Sequence, residues 1–136
     1  MKVVILCGGR GTRLNGERPK PLIEIGGRPI VSHVMAIYAA QGFEDFLLLT
    51  GYGADALADW ASGDPRVECV DTGLETPTGG RLHVVRERLC EPFCLTYADG
   101  VADIDVTALR AHHKRSGALA TMTVVRPELP FGVAMV

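Results

Sequence analysis

The stretch that decides the fold is Val3-Val4-Ile5-Leu6-Cys7-Gly8-Gly9-Arg10-Gly11-Thr12-Arg13. Residues 3–7 form a continuous apolar run rich in β-branched side chains, which is typical of a strand buried on both faces of a parallel sheet. Residues 8–13 form a glycine-rich loop that follows this run directly. The stretch therefore predicts a buried strand whose carboxyl end carries a loop that can approach a ligand closely.

The rest of the chain alternates short apolar runs with segments of helical periodicity. Parallel strands need crossover connections, and helices serve as those crossovers. The alternation therefore predicts an α/β fold, with a Rossmann-like three-layer α/β/α arrangement and a mostly parallel sheet. Further strands are expected at residues 46–50, 67–70, 93–97 and 119–125. Helices are expected from Pro29 to a stop at Gly42, at 54–61, along the stripe Leu82, Val85 and Leu89, and from a cap at Asp105 to residue 116.

Three polar segments are expected to gather at one edge of this sheet. In open α/β sheets, ligands bind outside the carboxyl ends of the strands. The loops at residues 8–13, 71–80 and 98–103 each follow a predicted strand, so they should share that edge. The segment 71–80 is the longest polar, turn-rich stretch of the chain, and we expect it to lie outside the core.

Composition narrows the class of protein further. With 136 residues, 47% hydrophobic and 22% charged, the chain fits one globular domain over residues 1–136. Lys and Arg number 14 against 16 Asp and Glu, and this balance excludes nucleic-acid binding through an overall basic surface. No segment approaches the roughly 18 apolar residues of a membrane span. The four cysteines come with no secretory signal, which favours a reduced, cytoplasmic setting without disulfides.

Positive charge surrounds the glycine-rich loop although the whole chain is slightly acidic. Glycines let backbone N–H groups turn toward a ligand, so a loop of this kind can bind an anion. The alternative is a tight turn flanked by solvated arginines, since glycine spacing alone is a weak signal. The basic residues of the first twenty, set against the single acid Glu17, are Lys2, Arg10, Arg13, Arg18 and Lys20.

The tripeptide Pro19-Lys20-Pro21 favours the anion-binding interpretation. A lysine between two prolines has a restricted backbone, so its ammonium group stays in one region. Pre-organised charge of this sort suits phosphoryl chemistry. The loop is not a Walker P-loop, which needs Gly-Lys-Ser/Thr. It is not the dinucleotide fingerprint either, which needs a third glycine spaced to open a helix directly and an acid at the end of the second strand.

Taken in order, these motifs resemble a known family. Leu6-Cys7-Gly8-Gly9-Arg10-Gly11-Thr12-Arg13-Leu14 followed by Pro19-Lys20-Pro21 resembles the signature of the sugar-1-phosphate nucleotidylyltransferases. Within that family, three further segments are similar to the glucose-1-phosphate cytidylyltransferases. These segments are Val70-Asp71-Thr72-Gly73 with Thr78-Gly79-Gly80-Arg81-Leu82, then Thr96-Tyr97-Ala98-Asp99-Gly100-Val101-Ala102-Asp103, and Phe131-Gly132.

The resemblance implies an enzyme that joins a sugar 1-phosphate to a nucleoside triphosphate and releases pyrophosphate, with Mg²⁺ as cofactor. Glucose 1-phosphate and CTP are favoured, while TTP, UTP or GTP are alternatives. The resemblance covers nearly the whole chain but only part of the family's length, and the family's second metal-binding aspartate falls in the unmatched portion. A nucleotide-binding module without catalysis is therefore the rival interpretation. The resemblance allows a homo-oligomer, and neither a nucleic acid nor a membrane is an expected partner.

The same resemblance implies roles for individual residues. Arg13, Lys20 and Asp99 would be catalytic, and Asp99 would bind Mg²⁺. Asp99 is also the first carboxylate after a buried strand, which suits a hard cation held by one carboxylate and phosphate oxygens, although it could merely cap a turn. The nucleotide-binding residues implied are Leu6, Cys7, Gly8, Gly9, Arg10, Gly11, Thr12, Arg13, Lys20, Thr76, Thr78, Gly79, Arg81 and Ala98.

Overall fold

The computed structural model describes residues 1–10 and 18–125. The chain divides into two compact units, Met1–Ile104 and Asp105–Val136. The single domain expected over residues 1–136 stays a prediction.

The first unit alternates strands and helices along the chain. Two short 3₁₀ turns, Lys20–Leu22 and Arg86–Arg88, interrupt the connections. The strands are β1 (Val3–Leu6), β2 (Glu24–Ile25), β3 (Arg28–Pro29), β4 (Phe46–Thr50), β5 (Val67–Asp71) and β6 (Cys94–Tyr97). The helices are α1 (Ile30–Ala39), α2 (Ala54–Ala61) and α3 (Thr78–Val84).

Four strands form one parallel sheet in the order β5-β4-β1-β6. Val3 at the start of β1 lies opposite Phe46 of β4 and Cys94 of β6. Every residue of β1 and β4 is buried, so helices and connections cover both faces of the central strands. The predicted α/β fold with a mostly parallel sheet is confirmed.

The strand order creates a crevice at the centre of the sheet. From β1 the chain moves outward through β4 and β5, then returns to place β6 on the other side of β1. Counted along the chain, the sheet order is third, second, first, fourth, which is the arrangement of Rossmann-like folds. Ligands in such sheets bind where the order reverses, outside the carboxyl ends of the strands. The segments that follow β1 and β6 flank this point.

The small hairpin of β2 and β3 is an element that the sequence analysis missed. Gly26 and Gly27 form its two-residue turn with φ of 60° and 76°, the left-handed conformations that a type I′ turn requires. Each strand has only two residues, too few for a period-two pattern to appear in the sequence. The glycine pair between Ile25 and Arg28 is the signal that could have found it.

Helix α3 differs in extent from its prediction. It begins at Thr78, inside the segment expected to be loop, and ends at Val84 before the 3₁₀ turn at Arg86–Arg88. Pro77 precedes it in extended conformation with ψ of 162°, a backbone geometry that suits the residue before a helix. Thr72, in the same loop, is buried with 6% of its surface exposed, so that part of the segment does reach the interior.

In the second unit, residues 105–125 are described, and they contain one helix, α4 (Val106–Ser116). Its predicted cap is confirmed: the Asp105 carboxylate accepts a hydrogen bond of 2.7 Å from the Ala108 N–H, and Gly117 ends the helix with φ of 61°. The strand predicted at 119–125 is wrong, because the described residues after α4 form no strand. A strand needs a neighbouring strand to accept and donate its backbone hydrogen bonds, and residues 119–125 pair with no strand among the described residues. Leu119 and Val125 are exposed, so this segment is not packed into the core.

Candidate active site

A cavity of about 450 Å³ opens at the carboxyl end of the sheet, within the first unit. Its walls come from the segments after β1 and β6, from the 3₁₀ turn that starts at Lys20, and from the connection between β5 and α3. The lining residues are Leu6, Cys7, Gly8, Gly9, Arg10, Lys20, Pro21, Leu74, Glu75, Thr76, Pro77, Thr78, Arg81, Tyr97, Ala98 and Asp99.

The start of the glycine loop is anchored to the sheet. The Cys7 N–H donates to the Leu49 carbonyl at 2.9 Å, which extends the ladder between β1 and β4 by one residue. The Gly8 carbonyl accepts from the Tyr52 N–H at 3.3 Å. Gly8 is buried whereas Gly9 is exposed, so the chain emerges from the core between these two residues.

Cys7 is buried beneath this loop with 1% of its surface exposed. Burial raises the pKa of the Cys7 thiol far above its usual range, and the nearby Cys69 adds to the rise while Arg81 opposes it. The thiol is therefore protonated and unreactive at neutral pH. Cys7 contributes shape to the cavity and no nucleophile.

Lys20 and Asp99 meet inside the cavity although 79 positions separate them in the sequence. The Lys20 Nζ donates to the Asp99 Oδ2 at 2.5 Å, with 42% and 38% of the two side chains exposed. Asp99 is held by the ladder just before it, since the Ala98 N–H donates to the Leu6 carbonyl at 3.2 Å. A lysine from one loop thus shares a site with the carboxylate that follows β6.

The backbone around Lys20 is fixed as the two prolines predict. The Leu22 N–H donates to the Pro19 carbonyl at 2.8 Å and the Ile23 N–H to the Lys20 carbonyl at 3.1 Å, which closes the 3₁₀ turn. Pro19 packs so tightly against Gly53 that a Cβ there would overlap its ring. The ammonium group is therefore presented from a constrained segment.

A second ion pair lies across the mouth of the cavity. The Arg10 guanidinium donates to the Glu75 carboxylate and so connects the glycine loop with the connection between β5 and α3. Both side chains are largely exposed, with 53% of Arg10 and 80% of Glu75 accessible. Exposed pairs of this kind contribute little stability and exchange readily for other partners.

Arg81 lines the cavity but its guanidinium group is buried. Nη1 donates to the Thr50 carbonyl and to the Thr72 hydroxyl, each at 2.6 Å, and Nη2 donates to the Gly8 carbonyl at 3.0 Å. The residue as a whole is 5% exposed. It joins the ends of three strands from below the cavity.

The structure brings together most of the site residues that the sequence analysis named. All of the predicted residues that it describes line the cavity, with the single exception of Gly79. Gly79 lies in the first turn of α3 on an exposed side with open space beside it. Gly11, Thr12 and Arg13 lie outside the described residues.

Several lining residues were not predicted. Glu75 could have been found as one of two acids in the segment 71–80 that could complement Arg10, and Tyr97 as the last residue of β6 before Ala98. Pro21, Leu74 and Pro77 carry no chemical signal in the sequence, because apolar side chains at a cavity wall look like any other apolar side chains.

The cavity offers the carboxylate of Asp99 to a hard cation such as Mg²⁺, and substrate phosphates would have to supply further oxygen ligands. Within residues 1–10 and 18–125, no group of three or more His, Cys, Asp or Glu side chains could enclose a metal ion. Mg²⁺ is commonly held by one or two carboxylates together with substrate phosphates. Asp99, partly exposed and lining the cavity, suits that mode and does not suit an all-protein cage.

Comparison with known proteins identifies similar chains. A family model described as the MobA-like NTP transferase domain matches residues 3–131. Glucose-1-phosphate cytidylyltransferase of Salmonella typhimurium is 39% identical over 162 residues, covering 97% of this chain and 63% of that protein. The probable glucose-1-phosphate cytidylyltransferase of Bacillus subtilis is 35% identical over 164 residues, covering 100% of this chain and 65% of that protein.

A solved structure has the same fold. The crystal structure of HddC from Yersinia pseudotuberculosis complexed with GMP-PN superposes with a TM-score of 0.72 at 27% identity, covering 82% of this chain and 53% of that one. This chain thus spans less than two thirds of the length of the curated relatives above. No helix among the described residues is long and apolar enough to cross a membrane.

Proposed function

The chain belongs to the family of MobA-like NTP transferase domains, and from this premise we propose that it transfers a nucleotidyl group to a sugar 1-phosphate. CTP and glucose 1-phosphate are the substrates we favour, because the relatives named for them are 39% and 35% identical. A mannose-1-phosphate guanyltransferase is 32% identical, so GTP and another sugar are the first alternatives to test. A cytoplasmic location and a homo-oligomeric state remain predictions.

The proposed reaction needs no nucleophile from the protein. A phosphate oxygen of the sugar 1-phosphate attacks the α-phosphorus of CTP. The bond from that phosphorus to the oxygen bridging the α- and β-phosphates breaks, and pyrophosphate leaves with the electron pair. The attacking oxygen is already anionic, so a strong general base is unnecessary, and catalysis consists of alignment and charge neutralisation.

The cavity residues suit these two tasks. The exposed Gly9 offers a backbone N–H to a phosphate without a side chain in the way. The Lys20 ammonium would leave Asp99 and neutralise charge on the pyrophosphate side of the α-phosphorus. Asp99 would then hold Mg²⁺ together with phosphate oxygens, and the bound ion would neutralise negative charge that develops on the triphosphate.

One observation carries the proposal. Lys20 and Asp99 line a single cavity with Gly8 and Gly9, at the point where the order of the parallel strands reverses. A cation, a carboxylate and a glycine loop at that position match the needs of a nucleoside triphosphate with its metal ion.

The test is pyrophosphate release from CTP, UTP, TTP or GTP with glucose 1-phosphate and Mg²⁺. The variants Lys20→Met and Asp99→Asn should each lower kcat by about 100- to 1,000-fold, as the loss of one pre-organised electrostatic contact typically does. Arg88→Gln is the matched control, since Arg88 is a surface arginine paired with Glu68 outside the cavity. Both site variants staying within a few-fold of wild type would refute these roles.

Calorimetry with CTP and Mg²⁺ separates catalysis from binding alone. Saturable CTP binding without pyrophosphate release for any of the four nucleotides would favour a nucleotide-binding module. Binding together with turnover would support the transferase.

A further inference from the structure

We propose that Arg81 is a positioning residue that orients the Gly9 N–H, and that it does not itself contact the nucleotide phosphates. The proposal rests on the function proposed above for its effect on nucleotide binding, but its geometric part concerns the protein without ligand. Arg81 would thus act through the backbone of the glycine loop, whereas its positive charge alone would suggest direct contact with a phosphate.

The Arg81 guanidinium group already makes four hydrogen bonds within the protein. Nη1 donates to the Thr50 carbonyl, the Thr72 hydroxyl and the Gly73 carbonyl, the last at 3.0 Å, and Nη2 donates to the Gly8 carbonyl. These acceptors follow or end β4, β5 and β1. Among the described residues, every buried side-chain nitrogen or oxygen has a hydrogen-bond partner. Turning Arg81 toward a phosphate would remove one donor from each of these four acceptors. The three carbonyls would keep only the donors that Tyr52, Thr72 and Thr76 supply.

Two neighbouring glycines, Gly8 and Gly51, make room for the Arg81 side chain. A Cβ on Gly51 would stand 2.6 Å from the Arg81 Nη1 and 2.8 Å from the Gly73 carbonyl oxygen. A Cβ on Gly8 would overlap the guanidinium group itself. Gly9, by contrast, has open space beside it. Two glycines at the strand ends therefore admit the arginine, and a ligand is not needed to explain them.

Arg81 is also connected to the exposed part of the loop, through the peptide group between Gly8 and Gly9. The Gly8 carbonyl and the Gly9 N–H belong to one planar peptide group, and in a trans peptide they point in opposite directions. No peptide bond in the described chain is cis. Because Arg81 and the Tyr52 N–H hold the Gly8 carbonyl inward, the Gly9 N–H must face the other way. Arg81 thereby fixes the direction of a donor that the proposed triphosphate would use.

The test compares Arg81→Lys with Arg81→Gln by amide hydrogen exchange without ligand and by nucleotide titration. A positioning role predicts faster exchange at the Tyr52 and Thr72 amides in both variants, because their acceptors Gly8 and Thr50 lose the shared guanidinium. Arg88→Gln should leave both amides as in wild type, since Arg88 pairs with Glu68. Unchanged exchange at both amides in both Arg81 variants would overturn the proposal.

The titration distinguishes positioning from direct phosphate contact. With positioning, Arg81→Lys should weaken CTP as much as Arg81→Gln does, because lysine cannot bridge the same acceptors, and kcat should fall by about 100-fold, as a misplacement near 1 Å can cause. With direct contact, lysine should rescue much of the loss of CTP affinity, since lysine also binds phosphate as a point charge. That second pattern would contradict the proposal.

Gly51→Ala provides a second route if the Arg81 variants do not fold. Its Cβ should displace the guanidinium and reproduce the faster exchange at Tyr52 and Thr72, whereas Gly63→Ala, in open space, should not. Gly51→Ala with wild-type exchange would overturn the proposal. Wild-type protein that binds no nucleotide would refute the proposed function alone, because the exchange experiment needs no ligand.

Discussion

At the scale of single residues, the ion pair of Lys20 and Asp99 is the most consequential contact of the site. The ammonium group lies 2.5 Å from Asp99 Oδ2, the kind of oxygen that a divalent cation would bind. In the proposed function, Lys20 and a divalent cation would therefore compete for one carboxylate in the ligand-free protein. A bound triphosphate would resolve that competition, because it would offer Lys20 another anionic partner.

This competition predicts a gain of metal affinity when the lysine is removed. Lys20→Met should bind Mn²⁺ up to about fivefold more tightly without nucleotide, since an exposed ion pair is worth up to roughly 1 kcal/mol. Lys2→Met is the matched control, because Lys2 pairs with Asp45 at 2.9 Å outside the cavity. Electron paramagnetic resonance of free Mn²⁺ measures the affinity. An unchanged or weaker affinity in Lys20→Met would count against the competition.

The buried Cys7 thiol predicts a pH dependence of stability. Burial raises its pKa in the folded state above that of an unfolded cysteine, about 8.5. Above that pH the unfolded chain releases the proton while the folded protein keeps it, so the free energy of unfolding falls as the pH rises. Its contribution to the slope approaches about 1.4 kcal/mol per pH unit at most.

Urea unfolding between pH 7 and pH 10 measures this dependence. Cys7→Ala should have a shallower alkaline decline than wild type, whereas Cys90→Ala, at an exposed position, should keep the wild-type slope. Equal slopes in wild type and Cys7→Ala would show that this thiol does not carry the dependence.

At the scale of elements, the sequence predicted the strands and helices whose conformation depends on their own residues alone. Strand β4 and helix α2 occur at the predicted residues, because a buried apolar run between turn residues and an alanine-rich segment after glycines each specify their own conformation. The strand expected at 119–125 failed because a strand also requires a pairing partner, which periodicity cannot supply. Helix α3 begins directly after the extended residue Pro77, inside a polar segment that has no apolar periodicity to mark a helix.

The cap of α4 gives a prediction at this scale. Asp105→Ala removes the acceptor of the Ala108 N–H and should destabilise the helix by about 1 kcal/mol, the usual cost of losing an N-cap side chain. Amide exchange along α4 should accelerate most in its first turn. Asp103→Ala, two positions earlier and outside the cap, is the control and should leave α4 unchanged. Equal protection in Asp105→Ala and wild type would contradict the capping role.

At the scale of the whole molecule, the site depends on strand order. The motif residues around Lys20 and Asp99 were predictable from their sequence, and so was the gathering of the loops after β1 and β6 at one edge of the sheet. The direct contact of Lys20 with Asp99 was not, because it depends on β6 lying beside β1. The burial of Arg81 was unpredictable for the same reason: a basic residue in a glycine-containing motif looks the same whether it faces a phosphate or three carbonyls. The fold supplies both the crevice and the arginine beneath it.

The central claim is that the segments after β1 and β6 form one nucleotide and metal site. Its most direct test is a titration with CTP and Mg²⁺ followed by amide chemical shifts. The amides of Gly8, Gly9, Asp99 and Gly100 should shift together with one dissociation constant, and Asp99→Asn should weaken the response of all four. Shifts confined to the glycine loop, or separate dissociation constants for the two segments, would contradict the account.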